Sequence, residues 1–151
     1  MAQATDLPRN EASIAAVLGI LKQQFGERFH TGQTLREQHG HTTTWIKNQA
    51  PDAVVFAKST QDVSDIVRVC ATHKVPVIAF GTGTSLEGHV NAPAGGVSVD
   101  LSQMDNVLEV NAGDLDCRVQ PGVTRMALNT HLRDQGLFFR LTPVPMHRSA
   151  V

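Results

Sequence analysis

Apolar positions first recur at helical spacing in residues 10–25, "NEASIAAVLGILKQQF", where Ile14, Val17, Leu18, Leu21 and Phe25 share one face. Asn10 is placed to cap that helix, and Gly26 to end it. Residues 30–50 are polar and without period, so the pattern predicts a connection holding no more than a helical turn. Order returns at "PDAVVFAKST": Ala53 to Phe56 reads as a short buried strand introduced by Pro51. Ser59 and Asp62 stand in S-x-x-D capping spacing, which predicts an immediate helix with Val63, Ile66, Val67 and Cys70 on its apolar face. That helix should end near His73 and Lys74, where positive charge suits a C-terminus. Val75 to Phe80 then reads as a second buried strand, closing a βαβ unit with parallel strands and a right-handed crossover.

Beyond the second strand the rhythm shortens. "GGVSVDLS", "NVLEVNAGD" and "DCRVQPGV" are β-like runs punctuated by Gly, Asn, Asp and Pro, and predict hairpins in an antiparallel layer that starts near residue 96. A last helix is predicted over Thr124 to Gln135, carrying Met126, Leu128 and Leu132 and ending at Gly136. The expected class is α+β: a small parallel βαβ subdomain followed by an antiparallel sheet. There are no internal repeats.

Composition narrows the function classes. The 151 residues carry 13 basic and 14 acidic side chains, a formal net charge of −1. With 5% aromatic residues and no basic stripe, the sequence argues against a nucleic-acid partner. Cys70 and Cys117 stand far apart, outside any C-x-x-C pattern, and read as reduced structural thiols. His30, His39 and His41 have no carboxylate or thiol at ligand spacing, so they make a weak metal signal and no metal is expected. The N-terminus lacks a signal-peptide pattern, and no apolar run approaches the roughly 20 residues of a membrane span. A cytoplasmic location is expected, with peripheral contact at the inner membrane as the only membrane association left open.

Candidate chemistry lies in "VPVIAFGTGTSLEG". Gly81, Gly83 and Gly88 follow a buried strand at its carboxyl end, where ligands bind in parallel sheets. Such glycines let successive backbone N–H groups point into one concavity, and Thr82, Thr84 and Ser85 add hydroxyl donors. The arrangement suits a pyrophosphate, and Glu87 should face away from it. No lysine follows Gly88, which excludes a P-loop, and the glycine spacing is not G-x-G-x-x-G. A plain tight turn is the alternative.

The stretch "VPVIAFGTGTSLEGHVNAPAGGVSVDLSQM", with "PDAVVFAKST" before it and "VQPGVTRMALNTHLRDQGLFF" after it, resembles the FAD-binding domain of the vanillyl-alcohol oxidase/PCMH flavoproteins. Its branch looks like the FAD-linked D-lactate dehydrogenases (cytochrome type) and glycolate oxidase FAD subunits. The resemblance implies that the loop from Gly81 to Ser85 takes the FAD pyrophosphate on its amides, and that Pro121 and Gly122 lie near the flavin. Some members tether FAD through a loop histidine. Thr84 and Ser85 stand in this loop, so noncovalent FAD is expected.

The implied activity of the whole enzyme is oxidation of a small D-2-hydroxy acid by hydride transfer to the flavin, with substrate-handling residues in a later domain. No catalytic residue is assigned within this chain. The implied organisation is an N-terminal helix and connection over 1–50, the front part of the FAD-binding domain over 51–139, and an aberrant tail over 140–151. A stand-alone nucleotide-binding module and a truncated, inactive product are the competing readings, and the chain alone is expected to show no turnover of D-lactate or glycolate.

The tail expectation has a specific form. "RLTPVPMHRSAV" leaves the family pattern abruptly after Phe139, yet one legal encoding of it, with a single C restored in front, reads P-V-D-P-G-A-D-A-S-L-G-G, the family's continuation. A one-nucleotide deletion at the Phe139/Arg140 junction, in the gene or its sequencing, is therefore expected, with poor order after it. Resequencing that junction decides the matter: an alternative frame lacking that pattern ends the idea.

Overall fold

The computed structural model describes residues 8–140, and the tail expectation lies outside them apart from Arg140. The first helix, α1 (Glu11–Phe25), begins where the Asn10 side chain accepts a hydrogen bond from the Ser13 amide, as the capping pattern requires. Its inward face is Ile14, Val17, Leu21 and Phe25, all buried. A single 3₁₀ turn leads into β1 (Phe29–His30) and then α2 (Gln33–His39). These two elements occupy a stretch that the sequence pattern assigns to a connection. The signal was missing because α2 is held by tertiary contacts rather than by an apolar stripe. His39 is its only buried residue, and Arg36 Nε donates to the Pro51 carbonyl at 2.6 Å.

Strand β2 (Ala53–Phe56) and helix α3 (Thr60–Thr72) fall where expected. Ser59 Oγ accepts from the Asp62 amide at 3.1 Å, and the Asp62 carboxylate accepts from the Lys58 amide and from Arg28. Ile66 and Cys70 are buried and Val63 packs on the core, but Val67 is 43% exposed, and Val69 takes the inward place expected of it. Burial pushes the Cys70 thiol up to about 11, so it is a packed thiol, not a thiolate, at neutral pH. Removing the cap through Ser59→Ala is expected to cost about 1 kcal/mol and to lower Tm by about 3 °C, read by circular dichroism melting.

The next strand, β3 (Val77–Phe80), starts two residues later than the apolar run suggests, because Pro76 has no N–H to give a ladder. Strand β4 (Val97–Asp100) corrects the sequence reading more deeply. It is not the first strand of an antiparallel layer; it lies between β2 and β3, parallel to both, in a sheet ordered β1-β2-β4-β3. Its V-S-V-D alternation looks half-exposed, yet all four residues are buried. Val97 and Val99 join α1 and α3 in one core, while Ser98 and Asp100 face the other side of the sheet.

The antiparallel layer begins at β5 (Val107–Asn111), which pairs with β6 (Asp116–Val119). Helix α4 (Arg125–Leu132) is capped by the Thr124 side chain and followed by a 3₁₀ turn that Gly136 ends in a left-handed conformation. Leu128 and Leu132 pack with Val123 on the β5–β6 ribbon in a second core, while Met126 points outward at 69% exposure. Among the described residues no helix is long and apolar enough to cross a membrane.

Candidate functional site

The three parallel strands end in register: Phe56, Asp100 and Phe80 form one row across β2, β4 and β3. The chain leaves β3 at Phe80 directly into Gly81, so the glycine loop caps the carboxyl edge of the sheet. Gly81, Thr82, Gly83, Thr84 and Ser85 line one hollow of about 220 Å³ together with His89 and Val90. Gly81 and Thr82 also line a second, of about 230 Å³, whose other wall is Ser102, Asp105, Gly122, Thr124 and Ala127. Two hollows meeting on a shared dipeptide suit an extended, two-part ligand better than a compact one.

The loop wall is rich in unclaimed donors. Among the described residues, none of the amides of Thr82, Gly83, Thr84 and Ser85 donates to a protein acceptor. Gly83 has a φ of +68°, a turn that keeps the backbone itself at the surface of the hollow. The hydroxyls are pre-ordered: Thr82 Oγ1 and Thr84 Oγ1 lie 3.1 Å apart, and Ser85 Oγ lies 2.9 Å from His89 Nδ1. No carboxylate lines this first hollow, and Glu87 is exposed and lines neither. Free amides with hydroxyls and no anion of their own form a concavity for a negatively charged group.

The remaining expected residues sit less directly. Gly122 belongs to the second hollow, while Pro121 beside it is exposed and lines neither. Gly88 is buried against the loop of residues 41–50: a Cβ there would come within 2.9 Å of Ile46 Cδ1. It shapes the loop from behind. His89, Ser102, Asp105, Thr124 and Ala127 were not singled out from the sequence. His89 follows the last loop glycine and was the easiest to find. Ser102 and Asp105 follow β4, whose carboxyl end counts as a site wall only once β4 is known to be a central parallel strand. A larger hollow of about 360 Å³, formed by Arg125, Met126, Asn129, Thr130 and Arg133, runs along α4 and its 3₁₀ extension, with no residue of the loop in it.

Beneath the loop lies a buried polar pair. The Phe80 ring comes within 2.9 Å of where a Gly83 Cβ would stand. His39 stacks on Phe80 at 4.1 Å between centroids and meets Phe56 edge-on at 6.1 Å. Its Nε2 is 2.8 Å from Asp100 Oδ2, and its Nδ1 is 2.9 Å from the Leu35 carbonyl oxygen. Asp100 Oδ1 accepts from the Ser102 amide at 2.8 Å. Burial alone would raise the Asp100 carboxyl, but the hydrogen bonds from His39 and Ser102 outweigh it and hold the group below the usual carboxylate value.

The family model described as "FAD binding domain" matches residues 51–151, and the chain belongs to that family, whose cofactor is FAD. A probable mitochondrial D-lactate dehydrogenase of Danio rerio is 41% identical over 133 residues, covering 87% of this chain and 27% of that protein. The mitochondrial D-lactate dehydrogenase (cytochrome) of Arabidopsis thaliana is 38% identical over 125 residues, covering 83% of this chain and 21% of that protein. Among solved structures, the 4-ethylphenol oxidase of Gulosibacter chungangensis superposes with a TM-score of 0.76 at 23% identity, over 95% of this chain and 29% of that one; this likeness concerns the fold. The chain thus spans about a quarter of the length of the relatives it matches.

Proposed function

We propose that this chain is the FAD-holding part of a dehydrogenase that oxidises a small D-2-hydroxy acid of the D-lactate or glycolate type. The observation that carries the reading is the run of unclaimed amides from Thr82 to Ser85 at the carboxyl end of a parallel strand. In this reading the amides of Gly81 to Ser85 hold the pyrophosphate, with the Thr82 and Ser85 hydroxyls as further donors. The second hollow, walled by Ser102, Gly122 and Thr124, receives the part of the cofactor beyond the phosphates. Thr84 and Ser85 leave the loop without a tethering histidine between Gly81 and Ser85, which supports noncovalent attachment. Bound FAD would supply the acceptor for hydride; this chain supplies position and, at the glycine loop, a donor-rich wall without a carboxylate. The groups that orient the hydroxy acid are assigned to the part of the relatives that this chain does not span.

The test is titration of the purified chain with FAD, followed by flavin fluorescence and by calorimetry. One-to-one saturable binding is expected, and after denaturation and filtration all flavin should pass into the filtrate. Flavin retained on the polypeptide would refute noncovalent attachment, and absence of saturable binding would refute the site.

A further inference from the structure

His39 and Asp100 have no part in the loop's direct contacts, yet their geometry constrains their protonation. A neutral imidazole has one N–H, and both ring nitrogens of His39 face oxygen: Leu35 O at 2.9 Å and Asp100 Oδ2 at 2.8 Å. A neutral ring beside a carboxylate would leave a lone pair against a lone pair in a site where both side chains are 6% exposed. The pair therefore holds one proton between Nε2 and Oδ2, and with Asp100 ionised that proton belongs to the ring. The pair also reaches both walls of the site. Through Phe80 it lies under Gly83, and through Asp100 Oδ1 it fixes the Ser102 amide.

We propose that His39 and Asp100 are positioning residues: a buried imidazolium–carboxylate pair that sets the glycine loop and the Ser102 wall for the cofactor, and that loosens both walls when the ring proton is lost. The proposal rests on the FAD reading for its ligand, but not for the state of the pair. The titratable groups around it are few. His30 lies edge-on across Phe56 at 5.5 Å, and Arg28 donates to the Phe56 carbonyl while paired with Asp62. Towards the loop, His89 Nδ1 lies 2.9 Å from Ser85 Oγ. Deprotonating His39 removes one of its two hydrogen bonds and leaves a ring lone pair against Leu35 O or Asp100 Oδ2, so the ring is no longer held from both sides above the Phe80 face.

The experiment is a pH titration of the ¹⁵N-labelled chain by NMR, with FAD affinity measured in parallel for the wild type and Asp100→Asn. In that variant the amide can donate to a neutral His39 while its oxygen still accepts from Ser102, so the shape survives without the charge pair. Both His39 nitrogens should be protonated at neutral pH. The Gly83 and Ser102 amide signals should shift with the midpoint of the His39 ring, distinct from that of His89. From neutral to alkaline buffer, wild-type affinity for FAD should weaken roughly five- to tenfold, the scale of one lost hydrogen bond, while the variant changes less than about twofold. A neutral His39 ring at neutral pH, loop amides that ignore its titration, or equal pH profiles for the two proteins would each overturn the proposal. Absence of FAD binding by the wild type at every pH would sink the functional reading instead, and the amide titration would still decide the pair.

Discussion

Replacing Gly83 with valine is expected to weaken FAD binding about a hundredfold while leaving the fold standing. Two effects add. Gly83 sits at φ +68°, where a β-branched residue is strained by roughly 1–3 kcal/mol. A Cβ there would also stand 2.9 Å from Phe80 Cζ and 3.1 Å from Cε2. The Phe80 ring packs against His39 at 4.1 Å, so turning it aside costs that contact, and shifting the loop instead moves its amides. A loss of about 3 kcal/mol in the bound state corresponds to about two orders of magnitude in Kd. Calorimetry on Gly83→Val and Gly83→Ala should give a graded loss of affinity, with Tm lowered by several degrees but the cooperative melt retained. Equal affinities for wild type and Gly83→Val would remove the loop from the site.

A large effect on stability is expected at Gly122. Its φ is not positive, so the constraint there is space. A Cβ would meet the carbonyl oxygens of Leu101, Met104 and Ser102 at 2.4, 2.8 and 2.9 Å. These are backbone atoms of the turn that leaves β4, and they cannot rotate away as a side chain can. The Gly122 amide also donates to the Met104 carbonyl at 2.8 Å, a bond lost if the turns separate. Gly122→Ala should cost about 3 kcal/mol and lower Tm by about 10 °C. It should also weaken FAD binding, because the displaced turn walls the second hollow. Gly113→Ala is the control: nothing lies within 4 Å of a Cβ there, and its φ is not positive. A Gly122→Ala melting curve within a degree or so of the control would contradict this close approach.

The helix starts were readable because capping is local. Asn10 reaches Ser13, Ser59 reaches Asp62, and Thr124 reaches Ala127, each across three residues. The glycine loop was readable for a similar reason, since glycines and hydroxyls gathered after an apolar run mark a bare-backbone turn wherever they occur. The apolar period was a weaker guide at its margins. Val67 and Met126 obey it and yet face outward, because which edge of a helical stripe is covered depends on the neighbouring layer.

Strand order and the second wall belonged to long-range pairing. Val-Ser-Val-Asp can be a half-exposed strand or a fully buried one, and alternation does not tell the two apart. The choice is made by β2 and β3 pairing on both sides of it, and by His39 satisfying the inward-facing Asp100. That histidine lies on a short helix with no apolar stripe, far along the chain from its partner. Local pattern therefore determined α1, α3 and α4, their caps and the glycine loop, because those depend on residues a turn or two apart. The tertiary structure alone decided that β4 is central, that Ser102 and Gly122 face the loop, and that the buried His39–Asp100 pair lies beneath it. Each of those depends on groups that meet only after the sheet has assembled.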